Sequence, residues 1–237
     1  MNLQIQINNL WELFGQRNAM YLRDQRLLYL LESVRIFAKH IRKGSPKPHL
    51  ESSLASVFSW TCAVADGFKN PPIIEALREK FPPGRCAYCR EPVCACHIGK
   101  RKDITLAAPD PIQLDWSASI WATNMMSVYG AGNRKQGMQF VIGRLYEEIG
   151  ETSGAHLLDV HRKDMTLGDV RHTVAHELAD VFSWIFVISA MLEIDLDQVL
   201  SEKYEGPHYR CGQRPCNCGP HYLHHDAEHP YVIKRVK

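Results

Sequence analysis

The chain has 237 residues, 45% of them apolar and 23% charged, with a formal net charge of +2. This is an ordinary globular composition, long enough for one large core or two small ones, and it lacks the global basic field that would argue for nucleic acid. No basic segment followed by an apolar run opens the chain, and no stretch approaches about 18 apolar residues without charge, so neither a signal peptide nor a membrane span is expected. A cytoplasmic protein is expected, and in that setting eight cysteines point to metal before disulfides.

In chain order, the spacing first predicts an amphipathic helix from Asn8 to Gln16, with Leu10, Leu13 and Phe14 on one face. A long helix runs from Met20 to Arg42 and stops at Gly44-Ser45-Pro46. His49 to Phe68 is apolar and ends before Asn70-Pro71-Pro72, and Pro72 to Phe81 is a short fourth helix. A cysteine-rich tail and a basic, proline-containing linker around residues 99–111 follow. Asp115 to Val128 opens a second series, with Asp115 as its N-cap. Lys135 to His156, Leu167 to Glu193 and Leu196 to Tyr204 complete that series. Gly150 and Gly154 weaken the first of these three and mark a kink or an end. No strand alternation of any length appears, so the expected class is all-α.

The two series are copies. Leu54 to Trp60 returns as Leu178 to Trp184, and Glu79-Lys80-Phe81 as Glu202-Lys203-Tyr204. Cys89, Cys94 and Cys96 return as Cys211, Cys216 and Cys218, and Phe14 to Asn18 as Tyr129 to Asn133. Four ordered matches indicate a tandem repeat, divided here as residues 1–104 and 105–237. The copies differ in charge. Glu148 matches Glu32, but Glu147 matches Leu31, Glu151 matches Arg35, Glu177 matches Ser53 and Asp180 matches Ser56. The first copy reads as scaffold and the second as the working copy.

The working copy concentrates carboxylates. Glu148 and Glu151 share one helical face, Glu147 lies four from Glu151, and Glu177 and Asp180 share a face of another helix. At about 4 Å and an effective dielectric near 20, a like-charged pair costs roughly 4 kcal/mol. Surface glutamates are usually just solvated, but Glu177 and Asp180 lie in a mostly apolar run from His176 to Phe186, where an unpaired charge is seldom left. If the two faces meet, a hard cation such as Mg²⁺ or Mn²⁺ fits the oxygen ligands.

Glu147-Glu148-x-x-Glu151 followed by Glu177-x-x-Asp180 resembles the signature of the all-α, MazG-like nucleoside triphosphate pyrophosphohydrolases. The resemblance covers roughly Trp121 to Tyr204, with a decayed copy in Asn8 to Phe81. It implies two tandem four-helix units, with Mg²⁺ held by Glu148, Glu151, Glu177 and Asp180 and with Glu147 either supporting those ligands from behind or helping to orient water. It further implies a nucleoside triphosphate substrate split between its α- and β-phosphorus. Family members usually pair bundles; a tandem repeat supplies that pairing within one chain and leaves a homo-oligomer open.

Each copy ends in a tail of soft ligands. The first offers Cys86, Cys89, Cys94 and Cys96; the second offers His208, Cys211, Cys216 and Cys218. Exchange of one thiolate for an imidazole is how tetrahedral zinc sites vary, so two structural Zn²⁺ ions per chain are expected. Cys62, matched by Phe186, reads as a buried small hydrophobe. Lys203, Arg134 and Lys135 are candidate phosphate contacts, Lys80 is matched to Lys203, and Trp121 or Tyr129 is a candidate for stacking on a base. His172 and His176 sit four apart and could share a metal with Asp180, although packing or surface roles are commoner. His221, His224 and His225 read as solvated. Basic runs at His97 to Lys102 and Lys234 to Lys237 lack interleaved aromatics, so nucleic acid is not the expected partner. Two rival functions stand beside hydrolysis: a nucleotide-binding sensor or defence component with little turnover, and a zinc-knuckle adaptor.

Overall fold

A computed structural model describes residues 1–96, 110–161 and 166–219, apart from the side chains of residues 158–160. The expected repeat boundary, both basic runs and His221, His224 and His225 lie outside the described residues. Within them the protein is all-helical: α1 (Leu3–Asn18), α2 (Arg23–Lys43), α3 (Lys47–Gly67), α4 (Ile73–Lys80), a 3₁₀ turn (Pro111–Asp115), α5 (Ala118–Gln136), α6 (Met138–His161), α7 (Leu167–Met191) and α8 (Leu196–Tyr204).

Local chemistry sets the ends. α1 starts earlier than the apolar spacing alone suggests, because the Asn2 side chain accepts a hydrogen bond from the Ile5 N–H at 3.0 Å. α2 ends at Gly44, whose φ of 60° is the left-handed conformation glycine adopts without strain. The expected Asp115 cap is corrected. Asp115 closes the 3₁₀ turn, and Ser117 caps α5 by accepting from the Ile120 N–H at 3.4 Å. A second correction concerns Gly137. With φ of 83° it separates α5 from α6, so Arg134 and Lys135 end α5 instead of starting the carboxylate helix. Nor do Gly150 and Gly154 end α6, which continues to His161. Their cost in propensity, about 1 kcal/mol each, is small beside the packing of α6 on α7.

α3 and α7 lie at the centre. Both are buried on most sides, as expected of helices apolar all round. Phe58 and Phe182, matched positions of the two copies, meet ring to ring at 5.1 Å. α7 alone among the described helices has the length and hydropathy to cross a membrane, and 67% of its apolar window is buried inside the bundle. α2 packs on α3 and α6 on α7, while α1 lies against α3 and α5 against α7. One continuous apolar core runs through both copies.

The short helices cross over. α4 of the first copy packs on α7 of the second, and α8 of the second packs on α3 of the first. The tails follow them. The Cys94 N–H donates to the Val128 carbonyl on α5 at 2.7 Å, and the matched Cys216 N–H donates to the Leu13 carbonyl on α1, also at 2.7 Å. Phe81 meets the Tyr129 ring at 6.3 Å, and the matched Tyr204 meets Phe14 at 5.7 Å. α4 and the first cysteine tail therefore pack on α7 and α5, and α8 and the second tail on α3 and α1.

Candidate metal centres and the cleft beside them

α6 and α7 bring the expected carboxylates together. One ligand oxygen each from Glu148, Glu151 and Glu177 lies within 4.8 Å of the others. Glu148 is 5% exposed and accepts from Arg144 Nη2 at 2.8 Å and from Trp184 Nε1 at 3.3 Å. Burial, with the Asp180 and Glu151 charges added, pushes its carboxyl up to about 7 despite Arg144. Burial likewise raises Glu177 and Asp180 against the pull of Lys80. Such a group of mutually raised acids is short of positive charge, and its donor set suits a hard cation.

Asp180 and Glu147 stand apart from that trio. Asp180 forms an ion pair with Lys80, whose Nζ also donates to the His176 carbonyl at 3.2 Å. Glu147 is half exposed and paired with Arg144, at the rim. Arg144 thus bridges Glu147 and Glu148, a role readable from spacings of three and four on one helix.

Glu147, Glu148, Glu151 and Asp180 border an open cleft of about 470 Å³, which Glu177 does not line. Its opposite wall comes from the other copy: Phe81 at the end of α4, and Tyr88, Cys94 and Cys96 of the first tail. Tyr129 and Trp184 supply further aromatic surface. The crossing of α4 thus places the first copy's zinc tail beside the second copy's acids.

Both tails have the geometry of tetrahedral zinc. Zn–S bonds of about 2.3 Å imply S···S separations near 3.8 Å. Cys86 and Cys96 Sγ are 3.6 Å apart, and Cys211 and Cys216 Sγ are 3.9 Å apart. His208 Nδ1 lies 3.5, 3.2 and 3.4 Å from Cys211, Cys216 and Cys218. All eight cysteines are free thiols, and the two groups, Cys86-Cys89-Cys94-Cys96 and His208-Cys211-Cys216-Cys218, could each hold one zinc. Crowding splits the thiols: the Ala95 N–H lowers Cys89 to about 7, while burial and the neighbouring thiols push Cys218 up to about 12. Cys62 is buried as expected.

Other expectations change place. Lys203 does not reach the acids. Its Nζ bonds the Ser52 carbonyl at 2.7 Å and Ser56 Oγ at 2.9 Å, on the first copy's α3. The crossing puts Lys80 where Lys203 was expected, and only the three-dimensional exchange of α4 and α8 distinguishes them. Trp121 is fully buried against Trp116 and cannot stack on a base from the cleft, whereas Tyr129 lines it. Arg134 is exposed on the last turn of α5, and Lys135 borders an adjoining hollow with Cys94, Cys96 and Phe140. His172 and His176 group with Glu79 instead of Asp180. Tyr88 was not singled out, since nothing in its local spacing marks it as facing a cleft.

The matched region of the first copy is filled. Arg35 Nε and Nη2 hold Glu32 at 2.5 and 2.6 Å. Arg17, 4% exposed, lies 4.0 Å over the Phe14 ring and 5.3 Å from Trp60. Its matched position in the second copy is Gly132. No protein family, curated protein or solved structure matches this chain.

Proposed function

We propose that the protein is a Mg²⁺-dependent nucleoside triphosphate pyrophosphohydrolase of the MazG-like kind, built from two tandem units with one working site in the second. The observation that carries this reading is the trio Glu148, Glu151 and Glu177 within 4.8 Å, two of whose members, Glu148 and Glu151, line a cleft that Phe81, Tyr88, Tyr129 and Trp184 also line. A bound Mg²⁺ would neutralise phosphate charge and lower the pKa of a coordinated water. The chain's own residues do the rest. Glu148, Glu151 and Glu177 would hold the ion, and Asp180 would join them on releasing Lys80. Lys80 and Arg144 keep positive charge beside the acids, where the triphosphate arrives. Tyr88, Tyr129 and Trp184 offer ring faces to a base. Zinc held by the four ligands of each tail would have no open coordination position and would serve structure, not chemistry.

The test is a panel of ribo- and deoxyribonucleoside triphosphates incubated with the protein and Mg²⁺. Monophosphate plus pyrophosphate is the expected product pair. Diphosphate plus phosphate, or tight binding without turnover across the panel, would overturn the reading; the latter would favour a nucleotide sensor.

A further inference from the structure

A second set of ligating side chains stands outside the cleft. Glu79 on α4 and His172 and His176 on α7 place one oxygen and two nitrogens within 4.8 Å of one another. The two imidazoles are four residues apart and share a helical face, with ring centroids 4.4 Å apart. Glu79 Oε2 is 3.2 Å from His176 Nε2, yet that buried nitrogen makes no hydrogen bond. That separation is an ion pair when the imidazole is protonated, and it equally suits two ligands of one ion.

The other copy provides a control. Pro48 and Ser52 occupy the positions matched to His172 and His176. Glu202, matched to Glu79, accepts a hydrogen bond from Gln198 on its own helix at 2.7 Å. α8 docks on α3 with no imidazole at the matched positions, so docking of a fourth helix does not require the pair. They occur only where α4 docks on the carboxylate-bearing helix.

We propose that Glu79, His172 and His176 form a third metal site, for a borderline divalent transition ion such as Zn²⁺, Co²⁺ or Ni²⁺. Two imidazoles and one carboxylate suit these ions, whereas Mg²⁺ takes oxygen and keeps its waters. Three protein ligands leave a coordination position for water. The ion ties α4 of the first copy to α7 of the second. It lies next to Lys80, which already touches the His176 carbonyl and Asp180, and so clamps that lysine in register with the acids.

The test needs no nucleotide, so it stands or falls separately from the proposed hydrolysis. Full-length protein with both tails zinc-loaded is dialysed to equilibrium against micromolar Zn²⁺, and bound zinc is counted. Wild type should hold one equivalent more than His172→Ala and Glu79→Gln. His172 is exposed, so its loss should leave the fold, followed by circular dichroism and thermal melts, unchanged. The triple variant Glu148→Gln, Glu151→Gln, Glu177→Gln should keep the extra equivalent. Added Zn²⁺ should raise the melting temperature of wild type and not of His172→Ala. The proposal is overturned if wild type binds zinc at the tails only. It is equally overturned if the extra ion survives His172→Ala, or if it is lost from the carboxylate variant alone.

Discussion

On the first copy's α3, Tyr29 lies flat on Trp60 with centroids 4.5 Å apart, and Arg17 covers the same indole from the side of Phe14. On the second copy's α7, the matched Trp184 borders an open cleft, and its indole N–H reaches Glu148. Each tryptophan sits on a central helix flanked in the same way, α3 by α1 and α2, α7 by α5 and α6. What differs is occupancy. A guanidinium held between desolvated rings contributes about 2 kcal/mol, whereas the matched Gly132 has no side chain and borders the adjoining hollow. Core positions answer to packing, and the residues that line a cavity can change while packing persists.

Experiments can break this contrast, starting where the effect should be largest. A structural zinc contributes on the order of 10 kcal/mol to folding, so Cys94→Ser and Cys216→Ser should both lose one zinc and melt far below wild type. Under conditions where both remain folded, only Cys94→Ser should lose nucleotide affinity, because only the first tail lines the acidic cleft. Equal losses of affinity by titration would separate the tail from the site. Next in size are the carboxylates. Glu151→Gln or Glu177→Gln should cut turnover by on the order of a thousandfold, the equivalent of about 4 kcal/mol of lost charge stabilisation. Glu32→Gln, which breaks only a pair with Arg35 on its own helix, should leave turnover unchanged. Side-by-side kinetics decides this, and matching losses would mean two working sites.

Two tryptophan truncations sharpen the comparison further. Trp60→Ala should cost about 3–5 kcal/mol, as expected for a buried ring. Trp184→Ala should cost less in a thermal melt, since its ring already faces a cavity. Gly132→Arg should install the first copy's plug in the second. No neighbour lies within 4 Å of a Cβ built there, so the fold should persist, with nucleotide binding lost in calorimetry. The smallest effect is a pH dependence. Burial first, then Asp180 and Glu151, lift Glu148 from 4.5 to about 7. Between those values the folded chain keeps a proton that the unfolded chain releases, so metal-free stability falls as pH rises across that window and is flat above it. Glu148→Gln should remove that slope and raise the melting temperature at pH 8 by a few degrees, roughly 1–2 kcal/mol.

Much of this was legible in the residues. Apolar spacing located all eight helices, because a stripe at helical period has no other way to be buried. The clustering of Cys86, Cys89, Cys94 and Cys96, and of His208, Cys211, Cys216 and Cys218, was legible because tetrahedral coordination constrains spacing. Glu148, Glu151 and Glu177 were legible as acids on apolar helices. The exchange of α4 and α8 was not, since a helix of eight or nine residues carries no local mark of which bundle it will join. That one missed fact moved Lys203 away from the acids and Lys80 to them, and put Tyr88 on the cleft wall. Trp121 and Tyr129 looked alike as stacking candidates because periodicity does not say which aromatic faces a cavity. Ser117 displaced Asp115 as a cap because a proline-led 3₁₀ turn, Pro111–Asp115, used up the residues before it.

The exchanged helices also set the order in which the protein can assemble. Newly made α3 displays an apolar face whose cover, α8, lies at the far end of the described chain. At about 5–20 residues per second, translation delivers that cover on the order of ten seconds later. α4 emerges early and must likewise wait for α7. The closing contacts of α8 therefore join residues far apart in sequence, 149 positions for Tyr204 to Ala55 and 151 for Lys203 to Ser52. High sequence separation slows folding, so the nascent first half is the stage at which this chain is most exposed to aggregation and most in need of a chaperone.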